Sequence, residues 1–383
     1  MLDIKEVRGL RRGICASAVA LCWLVGAGAA QASAPPTDVS TSFWARSQVM
    51  WAVGSGWMNN RVGTTFSPGY PATRQAAARV LANLAFKQNG TPVSATPYQQ
   101  AVAAGWIPAG TGGTGQITQL EFDRGVVAVL GLRGSVTQLN GLRAADGWHP
   151  FVPNGFGTEQ TVKAIGGRIN APWPADAWET WPGTALKRAS LAAEAYQLAH
   201  LPSWWRSSVT GLLAARTAMP AYSPLQKAVI GMAFRYANAP YVWGGTSPDP
   251  QSLFGYNVPG GFDCSGYVWW VLKLHTYTPA GQAPWSGNAT ITARTTFDMA
   301  RALPVSKRVP RSRLRPGDVV FWSSAPNGVN TAYGTVYHAG IYLGNGWAIN
   351  SHGDGDGVTL NSMASGWFHD AFAFGWHVLP AGR

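Results

Sequence analysis

The spacing of apolar residues divides the chain into a helical first half and a second half that mixes helices with strands. Val49 to Trp57 reads as a short helix stopping at Gly54 or Gly56. Thr73-Arg74-Gln75 opens a longer one, with Ala76, Val80, Leu81, Leu84 and Ala85 along one side. The same order returns from Tyr98: Ala101 to Trp106, a Gly/Thr-rich turn, then Ile117-Thr118 opening a helix through Val126, Val129 and Leu130. A looser third passage covers Leu142 to Leu198 and ends in a helix over Thr184–Leu198. Pro202 to Pro224 breaks the rhythm, and Ser223-Pro224 then supplies an N-cap and first-turn proline for a helix to about Tyr236. Tyr267, Val268, Val271 and Leu272 place a helix just after Asp263, which fits its N-cap. Period two follows: Val336 to Leu343 and Trp347 to Ser351 read as strands around Gly344-Asn345-Gly346.

Composition adds an address. Residues 1–32 carry Lys5, Arg8, Arg11 and Arg12 before an apolar stretch from Ile14 to Ala30 and the small-x-small tripeptide Ala30-Gln31-Ala32, the pattern of a cleaved secretory signal. Cleavage would leave no membrane span and would remove Cys15 and Cys22, so that Cys264 is the single thiol of an exported chain. The formal net charge of +12 suits an anionic wall polymer or acidic lipid. Nucleic acid is not expected, because no dense Lys/Arg tract is interleaved with aromatics. The order expected is signal 1–32, linker 33–42, helical domain 43–200, linker 201–222 and a second domain 223–383.

The chemistry centres on Gly261-Phe262-Asp263-Cys264-Ser265-Gly266-Tyr267. A cysteine in the first helical turn meets the positive end of the macrodipole, which favours the thiolate nucleophile. Its base would be His338, on a strand about seventy residues on. A strict two-residue turn would pair 338 with 353 and put Asn350 on the wrong side; a three-residue loop at 344–346 pairs 340 with 350 and brings His338 level with His352. Asn350 and His352 therefore both stand as the third, orienting residue, since an amide can hold an imidazole tautomer as carboxylates do elsewhere.

Five motifs in order carry a resemblance: Pro-Tyr-Val-Trp-Gly-Gly at 240–245, Phe-Asp-Cys-Ser-Gly at 262–266, Arg294-Thr295-Thr296, Leu314-Arg315-Pro316-Gly317-Asp318-Val319-Val320-Phe321, and His338-Ala339-Gly340-Ile341-Tyr342-Leu343-Gly344. The stretch from Ser223 to Leu379 resembles the NlpC/P60 cell-wall cysteine peptidases. The resemblance implies an α+β, papain-like fold with a helix-borne cysteine packed on an antiparallel sheet, following a mainly helical domain. It implies Cys264 as nucleophile, His338 as base and Asn350 as third residue, with Tyr241 near the thiolate and Asp263 and Ser265 binding the peptide end. The implied substrate is an amide of the peptidoglycan stem peptide, often the bond after D-γ-glutamate. Helix, Gly-Trp, a turn with Phe-Ser-Pro at 66–68, then Thr-Arg resembles the S-layer homology repeat, which implies docking of 43–200 on anionic wall polymer. Gln75 and Gln119 depart from that repeat's pattern.

No cofactor is expected. His149, His200, His275, His369 and His377 show no metal-ligand spacing, and Asp354 and Asp356 make only a loose calcium-type turn. Three stretches, Thr246–Gly261, Tyr277–Thr292 and Ser323–Val336, look like insertions flanking the cleft. An acyltransferase or amidase on the same scaffold, or a non-catalytic wall-binding protein, would share much of this pattern.

Overall fold

The computed structural model describes residues 34–380 apart from residues 111, 170, 173–174, 274–275, 279–280, 284–290 and 354–356. The signal-like stretch 1–32, part of the insertion at 277–292, His275 and the Asp354/Asp356 turn lie outside the described residues. Residues Gln31–Arg383 form one compact unit. Among the described residues no helix is long and apolar enough to cross a membrane.

The first half holds α1 (Arg46–Gly54), α2 (Arg74–Asn89), α3 (Pro97–Ala103), α4 (Gln119–Val129), α5 (Arg133–Asn140), α6 (Phe156–Ala164) and α7 (Arg188–Ala199). Three short extended crossings feed α2, α4 and α7, and they close a ring. Ala72 N–H donates to Leu186 O, Leu186 N–H to Ile117 O, and Ile117 N–H to Ala72 O. Arg74, Gln119 and Arg188, the first residues of the three helices, close a second cycle in the opposite direction by donating to the Gly115, Thr184 and Tyr70 carbonyls. The helices pair around the same ring, α1 on α7, α3 on α2 and α6 on α4. Caps follow from sequence: the Thr73 side chain accepts from Ala76 N–H, and Thr118 with Glu121 forms a capping box. The last helix begins at Arg188 rather than Thr184, because residues 185–187 are spent on the ring.

The 201–222 stretch is not a bare linker. It carries α8 (Trp205–Leu213) and α9 (Ala215–Ala218), with Trp205, Val209 and Leu212 buried at helical spacing. The Tyr222 hydroxyl donates to Leu343 O. Leu139, Leu142, Phe156, Leu212 and Met219 share one core with the C-terminal half, where Phe156 meets Phe234 edge-on at 5.9 Å. The prolines at 202, 220 and 224 signalled a break in periodicity, but apolar positions between them were already paired with this core. Within 33–42, the Asp38 carboxylate accepts from Phe66 and Ser67 N–H, both at 2.7 Å, and Val39 is buried.

The C-terminal half begins with α10 (Pro224–Arg235), whose Ser223 and Gln226 form a second capping box. Next come β1 (Thr246–Ser247), the hairpin β2 (Gln251–Leu253) and β3 (Tyr256–Val258), and β4 (Gly261–Phe262). Helix α11 (Cys264–Lys273) follows, then β5 (Thr276–Thr278), β6 (Gly281–Ala283), α12 (Thr296–Ala302) and β7 (Arg308–Val309). The chain closes with β8 (Val319–Ser323), β9 (Val336–Gly344), β10 (Trp347–His352), β11 (Gly357–Ser362), α13 (Trp367–Asp370) and β12 (Phe372–Trp376). The main sheet is antiparallel, in the order β11-β10-β9-β8-β12-β7. Helix α11 packs on β9 and β10. The β9–β10 hairpin aligns Tyr342 with Ala348 and Ile341 with Ile349, past an irregularity at Trp347. Continued, this register sets 340 opposite 350, as the three-residue loop required.

One buried side chain of the helical half bonds directly to the sheet edge. Gln160 on α6 is buried; its amide accepts from Leu360 N–H at 3.0 Å and donates to Asn238 Oδ1 and Val358 O. It thereby satisfies backbone groups of the outer strand β11 that an edge would leave open.

Candidate active site

The nucleophile's turn is held by close backbone approach. A Cβ at Gly266 would lie 1.9 Å from Gly245 O, so only glycine lets the first turn of α11 sit on that loop. Asp263 caps the helix, accepting from Gly266 N–H at 2.5 Å, from the Ser265 hydroxyl at 2.9 Å and from Gly244 N–H at 3.1 Å. Arg294 then ties the assembly together. Its guanidinium donates to Ser265 Oγ at 2.8 Å and Gly244 O at 3.0 Å, and pairs with Asp263 at 3.3 Å. Asp263 and Ser265, expected to bind substrate, thus also brace the turn that presents the thiol.

Cys264 is partly exposed. Its Sγ lies 3.5 Å from Thr296 Oγ1 and 3.8 Å from Tyr337 O, and Ala339 N–H also reaches it. Residues 337 and 339 flank His338, so the thiol sits against the strand segment that bears the imidazole. His338 is buried, and its Nε2–H donates to Asn350 Oδ1 at 3.0 Å, leaving Nδ1 as the free acceptor. The structure therefore places Asn350, rather than His352, at the far side of the base. Gly340 makes this possible: a Cβ there would come within 2.7 Å of the Asn350 Cβ. Trp322, Trp367 and Phe368 surround the imidazole at centroid distances of 5.2, 5.6 and 6.1 Å.

Burial at the site works against the thiolate that the helix start favours. Burial pushes the Cys264 thiol up to about 11, Asp263 adds to the rise, and the Thr296, Ala339 and Ser265 hydrogen bonds offset only part of it. Burial lowers His338 to about 3, helped by His352 and opposed by Asn350. Tyr241 is raised too, by burial first and then by Cys264 and Asp263, which fits a protonated hydroxyl beside the thiol. Its ring packs against Gly353, 3.2 Å from where a Cβ would stand.

Two contributions escaped the sequence. Arg294 and Thr296 were visible as a motif, but their duties were not. Asp176, from a 3₁₀ turn at Ala175–Trp178 in the helical half, accepts from Trp243 N–H at 2.8 Å, two residues from Tyr241. Nothing in its local sequence marked that reach. His200, His369 and His377 are engaged elsewhere, with Tyr196 O, Asp370 and Asp318. Among the described residues no group of three or more His, Cys, Asp or Glu could hold a metal ion.

A helix-borne thiol, a buried imidazole and an orienting amide on adjacent antiparallel strands define a cysteine-hydrolase type of site. Residues 238–376 match the NlpC/P60 family, and the C-terminal half is an NlpC/P60 domain. The bifunctional muramidase/DL-endopeptidase CwlT of Bacillus subtilis is 28% identical over 155 residues, 40% of this chain and 35% of that protein. A probable endopeptidase of Mycobacterium tuberculosis is 34% identical over 146 residues, 38% of this chain and 28% of that protein. The murein DD-endopeptidase MepH of Escherichia coli is 31% identical over 127 residues, 33% of this chain and 35% of that protein. The alignments with these relatives thus span about a third of their length. Among solved structures, the NlpC/p60 domain of the peptidoglycan hydrolase SagA covers 40% of this chain and 97% of its own, at 25% identity and a TM-score of 0.28.

Proposed function

We propose that the protein is an exported peptidoglycan endopeptidase that hydrolyses an amide of the stem peptide through Cys264, His338 and Asn350. The carrying observation is the hydrogen bond from His338 Nε2–H to Asn350 Oδ1, with the Cys264 thiol against the backbone on either side of His338. Substrate and reaction follow the names of the relatives, which include DL- and DD-endopeptidases and a gamma-DL-glutamyl hydrolase. Export rests on the sequence of residues 1–32.

The mechanism runs between the Cys264 thiol and the His338 imidazole. As Sγ attacks the amide carbonyl, its proton passes to His338 Nδ1, and Asn350 Oδ1 holds the imidazolium through Nε2–H. Cys264 opens α11, so its backbone N–H has no partner inside the helix and stabilises the oxyanion. His338 returns the proton to the leaving amine, the C–N bond breaks, and a thioester remains. Water, deprotonated by His338, then releases the acid and restores the thiol. By the resemblance, Asp263, Ser265 and Tyr241 are the residues that orient the substrate's peptide end.

The helical half serves this domain as a scaffold. Arg74, Gln119 and Arg188, the helix-start residues of the ring, are buried and donate to protein groups: Pro108 O and Glu121, Asp123 and Glu194, and Phe66 O and Asn59 O. That inward use favours support over polymer docking. Sedimentation of the protein with walls, before and after removal of their anionic polymer, tests the point: unchanged binding supports the scaffold. For the catalytic claim, purified peptidoglycan should lose turbidity with the wild-type protein and not with Cys264→Ser. Equal clearing by both would overturn it.

A further inference from the structure

Thr296 is the first residue of α12, and its place is fixed from several sides. The Thr295 side chain caps the helix, accepting from Asp298 N–H at 3.0 Å. Arg308 holds the other end, donating to Ala300 O and Leu303 O, both at 3.2 Å. Helix α12 packs on β9. These contacts set Thr296 Oγ1 3.5 Å from Cys264 Sγ. The Thr296 side chain is buried, and among the described residues its hydroxyl has no hydrogen-bond partner other than that sulfur. A buried hydroxyl proton without an acceptor is costly, so the proton points at sulfur. Sulfur then accepts from Thr296 and from Ala339 N–H, and its own proton stays available to His338.

We propose that Thr296 is a further catalytic residue, the hydrogen-bond donor that holds negative charge on Cys264 Sγ. The inference rests on the cysteine-peptidase reading and adds a residue to the machinery of that same site. When Sγ gives its proton to His338, the Thr296 O–H stays intact and its dipole meets the charge left on sulfur. In acylation that electron pair forms the S–C bond. When water opens the thioester, the S–C bond breaks with its electron pair on sulfur, and Thr296 meets the charge a second time. His338 then returns to sulfur the proton it took from that water. No proton passes through Thr296. In a buried site such a donor is worth more than it would be in water.

The titratable groups near the sulfur stand on other elements. Asp263, paired with Arg294, precedes α11; His338 is on β9; Tyr241 is on the loop before β1. Substitution at 296 leaves all of them in place, so a change in thiol reactivity between variants reports the hydroxyl itself.

The test separates the hydroxyl from the methyl group with three variants of the full chain. Thr296→Val keeps the shape, Thr296→Ser keeps the hydroxyl, and Thr296→Ala keeps neither. Two rates are read at neutral pH: alkylation by iodoacetamide, followed by mass at the Cys264 peptide, and kcat/KM for a soluble muropeptide. Losing the donor should cut the thiolate fraction about tenfold, while the more basic sulfur regains about threefold in nucleophilicity. The Val and Ala variants should therefore alkylate about threefold more slowly. Their kcat/KM should fall at least as far, through kcat rather than KM, and the Ser variant should keep both rates near wild type. Wild-type alkylation by Thr296→Val overturns the proposal. So does a result that groups Ser with Ala, which marks a packing role for the methyl group. Should Thr296→Val fail to fold, equal rates for the Ser and Ala variants overturn it. Alkylation needs no turnover: the expected order of alkylation with no muropeptide cleaved supports the donor at sulfur and overturns the peptidase reading.

Discussion

Replacing Gln160 with Met tests whether the helical half holds the sheet edge in place. Met matches glutamine in length and helix propensity, so the change removes polarity while leaving packing nearly intact. Three hydrogen bonds go: Leu360 N–H to Oε1 at 3.0 Å, and Nε2–H to Asn238 Oδ1 at 2.9 Å and to Val358 O at 3.2 Å. Val358 O still accepts from Asn238 N–H, so it loses little. Leu360 N–H and Asn238 Oδ1 are left buried without that partner. Each such orphan costs about 1–3 kcal/mol, so the variant should lose about 3 kcal/mol. For a chain of this size that corresponds to a fall of roughly 4 °C in the unfolding midpoint. Urea unfolding followed by tryptophan fluorescence gives the free energy directly, with the m-value checking that the same surface is exposed. A loss below about 0.5 kcal/mol would refute the argument, because it would mean water satisfies these groups and the contact is not a buried one.

Three further outcomes concern the site. Asn350→Ala removes the acceptor of His338 Nε2–H and should lower kcat by about a hundredfold with KM little changed, since the amide acts on the imidazolium formed in the transition state. Gly340→Ala puts a methyl group 2.7 Å from the Asn350 Cβ and should cost activity by displacing that amide while the protein stays folded. Alkylation of Cys264 by iodoacetamide should keep rising with pH toward about 11, because the raised thiol pKa keeps the reactive thiolate scarce below it; a plateau already at pH 7 would show a resting thiolate instead.

Much of the C-terminal half was legible because its constraints are local. Gly-Phe-Asp-Cys-Ser-Gly encodes a cap, a tight approach and a helix start within a few residues. The alternation in 336–343 and 347–351 around Gly-Asn-Gly showed the hairpin but left two registers open, and the structure takes the three-residue-loop one, with Ile341 opposite Ile349. Other features depend on partners distant in sequence. The duties of Arg294 follow from its contact with Asp263, the reach of Asp176 from its contact with Trp243, and the role of Gln160 from an edge strand 200 residues away. The burial around the thiol was hidden for a related reason. A helix N-terminus is visible in sequence, whereas the burial that opposes it comes from the assembled fold.

The most direct test of the central claim is mass spectrometry of the soluble products when purified peptidoglycan is incubated with residues 33–383, beside the Cys264→Ala variant. The account predicts fragments bearing a new free carboxyl and a new free amine at one stem-peptide bond, released by the wild type and absent with the variant. Products in which the acyl group is joined to another amine or alcohol would place the chemistry in transfer instead. Identical hydrolysis products from the Cys264→Ala variant would contradict the account.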